Sequence, residues 1–262
     1  MTLSLFHVDA FASQAFRGNP AAVCPLDRWL DDDFLRAVAA ENNLSETAYF
    51  VPRDGAYELR WFTPRCEVRL CGHATLASAF VLLNILDPSL ESVHFKTRYS
   101  GTLTVRRKDD WLAMDFPTLP PEACFYAPDN FGRMLGEEPV AVLEKNNKYI
   151  PVYKSEDAIR EIRPNFTLLE QLHPYTVAAT APGRDCDYVS RYFAPSYGVP
   201  EDPVTGSSHC ALTPYWAEQL GKKRLHARQL SERGGELWCE LAGDRVLLEG
   251  KAVLTLKGTL MV

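Results

Sequence analysis

The sequence predicts an α+β fold of two similar lobes, each a strand-rich sheet around one buried helix. Three observations carry that prediction. Strand-like segments outnumber helical ones along the whole chain of 262 residues. Two helical segments, within 70–86 and 203–217, contain no Asp, Glu, Lys or Arg, and a helix apolar or small all round belongs in an interior. The pentapeptide RWFTP, Arg60 to Pro64, returns 131 residues later as RYFAP, Arg191 to Pro195, each copy ahead of a glycine-containing turn and one of those helices.

The elements follow in order. LSLFHVDAF, AAVCPL, ETAYFVP, YELRWFT, VHFKT, GTLTVRR and WLAMDF read as strands in the first half. FLRAVAAENN follows the acidic run DDD, which complements a helix start, and ATLASAFVLLNIL follows Gly72-His73 as the first uncharged helix. PTLPPEACFYAPDN, rich in proline, reads as a connector. It divides the chain into an N-terminal lobe, 1–116, joined by the final strand 252–262, and a C-terminal lobe, 117–251. Strands at PVAVLEK and KYIPVY, a helical turn at SEDAIREI, and strands at YTVAAT and CDYVSRYFA come next. The second helix, from about Gly206 to Leu220 and free of charge as far as Ala217, precedes four closing strands at RLHARQL, ELWCEL, DRVLLEG and AVLTLKGTLMV. Seven residues separate Pro64 from Cys71 and eight separate Pro195 from Pro203, so one inserted residue aligns CGHAT with PVTGS.

Bulk properties exclude several classes. With 46% hydrophobic and 24% charged residues the chain is globular, and a formal charge of −6 without a basic block excludes a nucleic-acid surface. MTLSLFHVDAF lacks a basic segment followed by a long apolar core, so neither a signal peptide nor a membrane span is expected, and the expected location is cytoplasmic. The seven cysteines (24, 66, 71, 124, 186, 210, 239) are odd in number, scattered and without CxxC, which points to free thiols.

Chemistry concentrates at a few residues. Strand alternation puts Glu46, Ala48 and Phe50 on one face, and an acid among apolar neighbours is a candidate for proton transfer; a solvated glutamate at a strand start is the plain alternative. His73 stands in the first turn of its helix, where the dipole disfavours imidazolium and keeps the ring neutral, although a structural histidine fits the local pattern equally. Asp202 precedes Pro203 in a turn leading to the second helix. Both helix starts, at Gly72 and Gly206, offer unpaired backbone N–H groups to a carboxylate. Cys71 and His73 with His209 and Cys210 lack a recognised metal spacing, so no metal is expected. GxSxG and GxGxxG are both absent, and no motif points to pyridoxal phosphate or flavin.

Taken together, GNPAAV (18–23), NLSETA (43–48), RWFTP with EVRLCGHATLA, RYFAP with EDPVTGSSHCAL, LGKK (220–223) and RGGEL (233–237) resemble the PhzF family of phenazine biosynthesis-like proteins over essentially the whole chain. The resemblance implies the diaminopimelate epimerase-like fold, two pseudo-symmetric lobes each of sheet wrapped around a central helix, with the active site between them. It implies an isomerase without metal or organic cofactor that moves a proton on a small carboxylate-bearing substrate, and a homodimer. By the same resemblance Glu46 is the general acid/base, His73 and Asp202 support it, and Gly72, Gly206, Ser207 and Ser208 bind substrate. Nothing in the chain identifies a phenazine pathway.

Related epimerases set one cysteine at each repeated helix start. Here Cys71 matches the first, while the one-insertion alignment places Pro203 at the second, which argues against a two-thiol racemase. Two alternatives stand beside the isomerase: an epimerase using Cys71 with another base, and a non-catalytic metabolite-binding or regulatory protein.

Overall fold

The computed structural model describes residues 1–262, which form two compact units, Met1–Asp115 with Glu249–Val262, and Phe116–Leu248. The first unit contains β1 (Thr2–Ala10), β2 (Asn19–Pro25), α1 (Asp32–Asn42), β3 (Glu46–Arg53), β4 (Ala56–Phe62), β5 (Glu67–Val68), α2 (Gly72–Val81), β6 (Ser92–Thr97), β7 (Thr102–Lys108) and most of β8 (Trp111–Pro117). The second contains β9 (Glu122–Ala123), α3 (Phe131–Leu135), β10 (Ala141–Glu144), β11 (Lys148–Val152), α4 (Glu156–Glu161), α5 (Phe166–Glu170), β12 (Thr176–Pro182), β13 (Tyr188–Ala194), β14 (Val199–Asp202), α6 (Gly206–Leu220), β15 (Arg224–Gln229), β16 (Gly235–Ala242) and most of β17 (Arg245–Gly250). β18 (Ala252–Met261) returns to the first unit and pairs antiparallel with β1. No helix is long and apolar enough to cross a membrane.

The pairing pattern is duplicated strand by strand. In the first unit β1–β2 is antiparallel, β2–β3 parallel, β3–β4 and β4–β5 antiparallel, β4–β6 parallel and β6–β7 antiparallel. The second repeats this order with β10–β11, β11–β12, β12–β13, β13–β14, β13–β15 and β15–β16. Parallel neighbours need a crossover, and in each unit the β4–β6 or β13–β15 crossover carries the uncharged helix. From His73 to Ala79 every residue of α2 is buried, as are Ser208 to Thr213 of α6. Hydroxyls inside these helices bond back to the helix itself: Thr75 to the Cys71 carbonyl (2.6 Å) and Ser78 to the Ala74 carbonyl (2.7 Å).

The repeated pentapeptide has a physical explanation. Arg60 of β4 grips Glu67 of β5 through Nε and Nη2, both at 2.8 Å, and Arg191 of β13 grips Glu201 of β14 at 2.7 and 2.9 Å. Each guanidinium also lies over the phenylalanine of its own copy, Phe62 at 5.0 Å and Phe193 at 5.1 Å. The arginine thus fastens the short strand that delivers the chain to the buried helix. Arg191 further donates to the Ile159 and Ile162 carbonyls at the end of α4. Arg191→Met is therefore expected to leave a largely buried Glu201 carboxylate unpaired and to cost about 2–3 kcal/mol, read as a lower urea midpoint.

The structure corrects the alignment of the two copies. The N-caps are Cys71 for α2 and Thr205 for α6, so Gly72 and Gly206 are equivalent and Pro203 is not the counterpart of Cys71. Glu67 follows Pro64 by three residues and Glu201 follows Pro195 by six, the difference accommodating the 3-10 turn Pro195–Tyr197. The position opposite Cys71 in the repeat is still not a thiol.

Candidate active site

Glu46 is the first residue of β3, level with Ala21 on parallel β2. Its position is fixed from behind. α1 ends on Asn43 in the left-handed region (φ 48°), and the Asn42 amide donates to Thr47 Oγ1 at 3.1 Å. Residues 47–51 are all buried, so β3 is covered on both faces rather than showing the one-sided alternation expected from the sequence. The Glu46 side chain is 15% exposed, which removes the solvated-glutamate alternative.

Four polar side chains meet at the start of α2. His73 Nε2 lies 3.1 Å from Glu46 Oε2, and Nδ1 lies 3.1 Å from Asn19 Nδ2 and 3.4 Å from Cys71 Sγ. Nε2 faces the carboxylate, while Nδ1 lies between the Asn19 amide and the Cys71 thiol. Burial pulls the imidazole down, but the neighbouring Cys71 sulfur and Glu46 carboxylate outweigh it, and the ring is held well above the ordinary histidine value. The neutral ring expected from the helix dipole is thereby corrected. Burial pushes the Cys71 thiol up to about 11, so near neutral pH it is a thiol and not a thiolate. Iodoacetamide near neutral pH is accordingly expected to label exposed Cys66 and to spare buried Cys71 until the chain is unfolded, which peptide mass mapping checks.

Glu46, Cys71 and His73 place one donor atom each within 4.8 Å of one another and are the residues that could hold a metal ion. This set differs from the one considered on sequence. His209 is committed elsewhere, with Nδ1 2.8 Å from the Tyr188 hydroxyl in the core of the second unit.

In the second unit Asp202 closes β14 and its carboxylate accepts from Thr205 Oγ1. Gln229 of β15, fully buried, locks this turn: its Oε1 accepts from Thr205 N (2.9 Å) and its Nε2 donates to the Asp202 carbonyl (2.6 Å). Ser231 adds a bond to the Pro203 carbonyl (2.8 Å). Of the expected substrate-binding residues, Ser207 is exposed, Gly206 begins the helix, and the buried Ser208 hydroxyl donates to the Thr205 carbonyl at 2.8 Å. Gln229, Ser231 and Asn19 give no sign of a site role in the sequence, because single polar residues carry no spacing signal; Asn19 alone lies inside a motif, GNPAAV.

The phenazine biosynthesis-like (PhzC-PhzF) family model matches residues 8–258. The chain belongs to that family. A protein of Pseudomonas aeruginosa named an uncharacterized isomerase is 54% identical over 260 residues, 99% of each chain. A crystal structure of a PhzF-family protein from Enterococcus faecalis is 42% identical, superposes with a TM-score of 0.96 and covers 100% of both chains. A hydroxyproline epimerase from Agrobacterium vitis shares the fold alone, with a TM-score of 0.59 at 10% identity over 98% of this chain and 92% of its own. The PhzF chain thus has the diaminopimelate epimerase-like fold of two pseudo-symmetric halves expected from its motifs, and it is an enzyme of the isomerase class.

Proposed function

We propose that this PhzF-family enzyme is a cofactor-independent isomerase that moves a proton on a small carboxylate-bearing substrate, with Glu46 as the general acid/base. The observation that carries this reading is the asymmetric engagement of the Glu46 carboxylate. His73 Nε2 stands 3.1 Å from Oε2, which is wholly buried, so Oε1 is the oxygen left to accept a substrate proton and return it at another carbon. A carboxylate that both removes and returns the proton needs no redox group. His73, itself pinned by Asn19 and Cys71, serves to orient the carboxylate and to balance its charge as the proton moves. Gly72, Gly206 and Ser207, at the helix starts, are assigned to substrate binding, with Asp202 and Ser208 supporting the second of those starts.

The same reading places the enzyme in the cytoplasm as a homodimer, which light scattering of the purified protein tests. The cysteine-dependent alternative is disfavoured because Cys71 is a protonated thiol and its repeat counterpart is Thr205. The test of the proposal is exchange of substrate hydrogen with solvent deuterium. Exchange that depends on Glu46 and survives Cys71→Ser within about ten-fold supports it, and exchange that depends on Cys71 alone overturns it.

A further inference from the structure

We propose that Lys148 forms an anion-binding subsite with the first turn of α6 and supplies the counter-charge for the substrate's carboxylate. The inference rests on the isomerase reading for the identity of the anion. Lys148 is the one lysine or arginine of the chain that is buried, at 9% exposure, and it makes no ion pair. Its ammonium lies 3.4 Å from the Ser207 carbonyl in the first turn of α6 and 5.5 Å from the centre of the Tyr192 ring. The groups that face it are Tyr192 on β13 and His209 and Cys210 on α6.

None of those groups is anionic near neutral pH. Burial pushes Cys210 up to about 11 and Tyr192 up to about 12, and burial together with the Lys148 charge pushes His209 down to about 3. Asp202, on β14, bonds to Thr205. A buried cation without a carboxylate is costly, and burial pulls the Lys148 amine down to about 8. The backbone N–H groups of Gly206 and Ser207 donate to no protein acceptor, so the first turn presents donors of the same polarity. An anion satisfies both.

The duplicated frame gives independent support. In the first unit the residue level with Ala21 on the neighbouring parallel strand is Glu46; in the second, Lys148 is level with Thr176 on the equivalent pair of strands. The same rung beside the buried helix thus carries an acid in one half, from β3, and a base in the other, from β11.

The test uses benzoate as the anionic probe and benzamide as its neutral isostere, titrated calorimetrically into the full-length protein, Lys148→Met and Lys148→Arg. Benzoate is expected to bind the wild type at least about ten-fold more tightly than benzamide, and Lys148→Met to lose that preference while Lys148→Arg keeps it. Wild-type affinity for benzoate is expected to fall between about pH 7 and about pH 9 as the amine loses its proton. Equal benzoate affinity in the wild type and Lys148→Met, or no benzoate binding by the wild type at tens of millimolar, overturns the proposal. A folded Lys148→Arg keeps the comparison valid if Lys148→Met melts early. Glu46→Gln is expected to retain the benzoate preference, so a failure of Glu46 as acid/base and a failure of Lys148 as anion partner give different results.

Discussion

Glu46→Gln is expected to lower turnover by about a hundred- to ten-thousand-fold without loss of the fold. The amide keeps the shape of the carboxylate and its carbonyl can still accept from His73 Nε2, so packing at the start of α2 is preserved. What disappears is the ability to take up and release a proton at the second oxygen. The variant carries its own internal marker. The carboxylate is one of the two neighbours that raise the His73 ring, so the His73 titration midpoint, followed by ring NMR, is expected to move down in Glu46→Gln. A lowered midpoint with wild-type turnover would show that the Glu46–His73 pair is structural only.

Gly18→Ala is expected to be the most damaging single methyl group in the first unit. Gly18 opens the GNPAAV motif at φ +67°, and a Cβ there would meet the Ala10 carbonyl oxygen at 2.2 Å and Ala12 Cβ at 2.8 Å. Ala10 is also the ladder partner of Asn19, so the backbone that must yield is the one that aims the Asn19 amide at His73. The left-handed conformation and the backbone clash together are expected to cost about 2–4 kcal/mol, a melting point lower by roughly 5 to 15 °C in calorimetry. Gly55 provides the control, since it too has a positive φ, +73°, but nothing lies within 4 Å of its added Cβ. Gly55→Ala is expected to lose only about 1 kcal/mol. Equal losses in the two variants would show that the β1–β2 turn relaxes around the methyl group.

Much of this architecture is legible in the amino-acid order because each signal is local. Strand-like runs such as ETAYFVP form strands, the charge-free segments form the two buried helices, and RWFTP and RYFAP mark a duplication that extends through the strand pairing. The register of that duplication is not legible in the same way. Pro203 looked like a helix start, whereas the chain makes a 3-10 turn at Pro195–Tyr197 and enters α6 only after Thr205. The charge on His73 is hidden for a related reason: the dipole acts locally and is visible in sequence, but the Glu46 carboxylate arrives from a strand 27 residues earlier in the chain. Lys148 and Gln229 carried no signal, since their meaning comes from the neighbours that parallel and antiparallel pairing place beside them.

Solvent exchange measured by mass spectrometry is the most direct test of the catalytic assignment. A panel of unsaturated, α-amino and α-hydroxy carboxylic acids is incubated with the enzyme in deuterium oxide and examined for deuterium at carbon. The account predicts deuterium uptake into at least one acid with the wild type and with Cys71→Ser, and none with Glu46→Gln. Uptake that persists in Glu46→Gln, or that vanishes only when Cys71 is replaced, would contradict it.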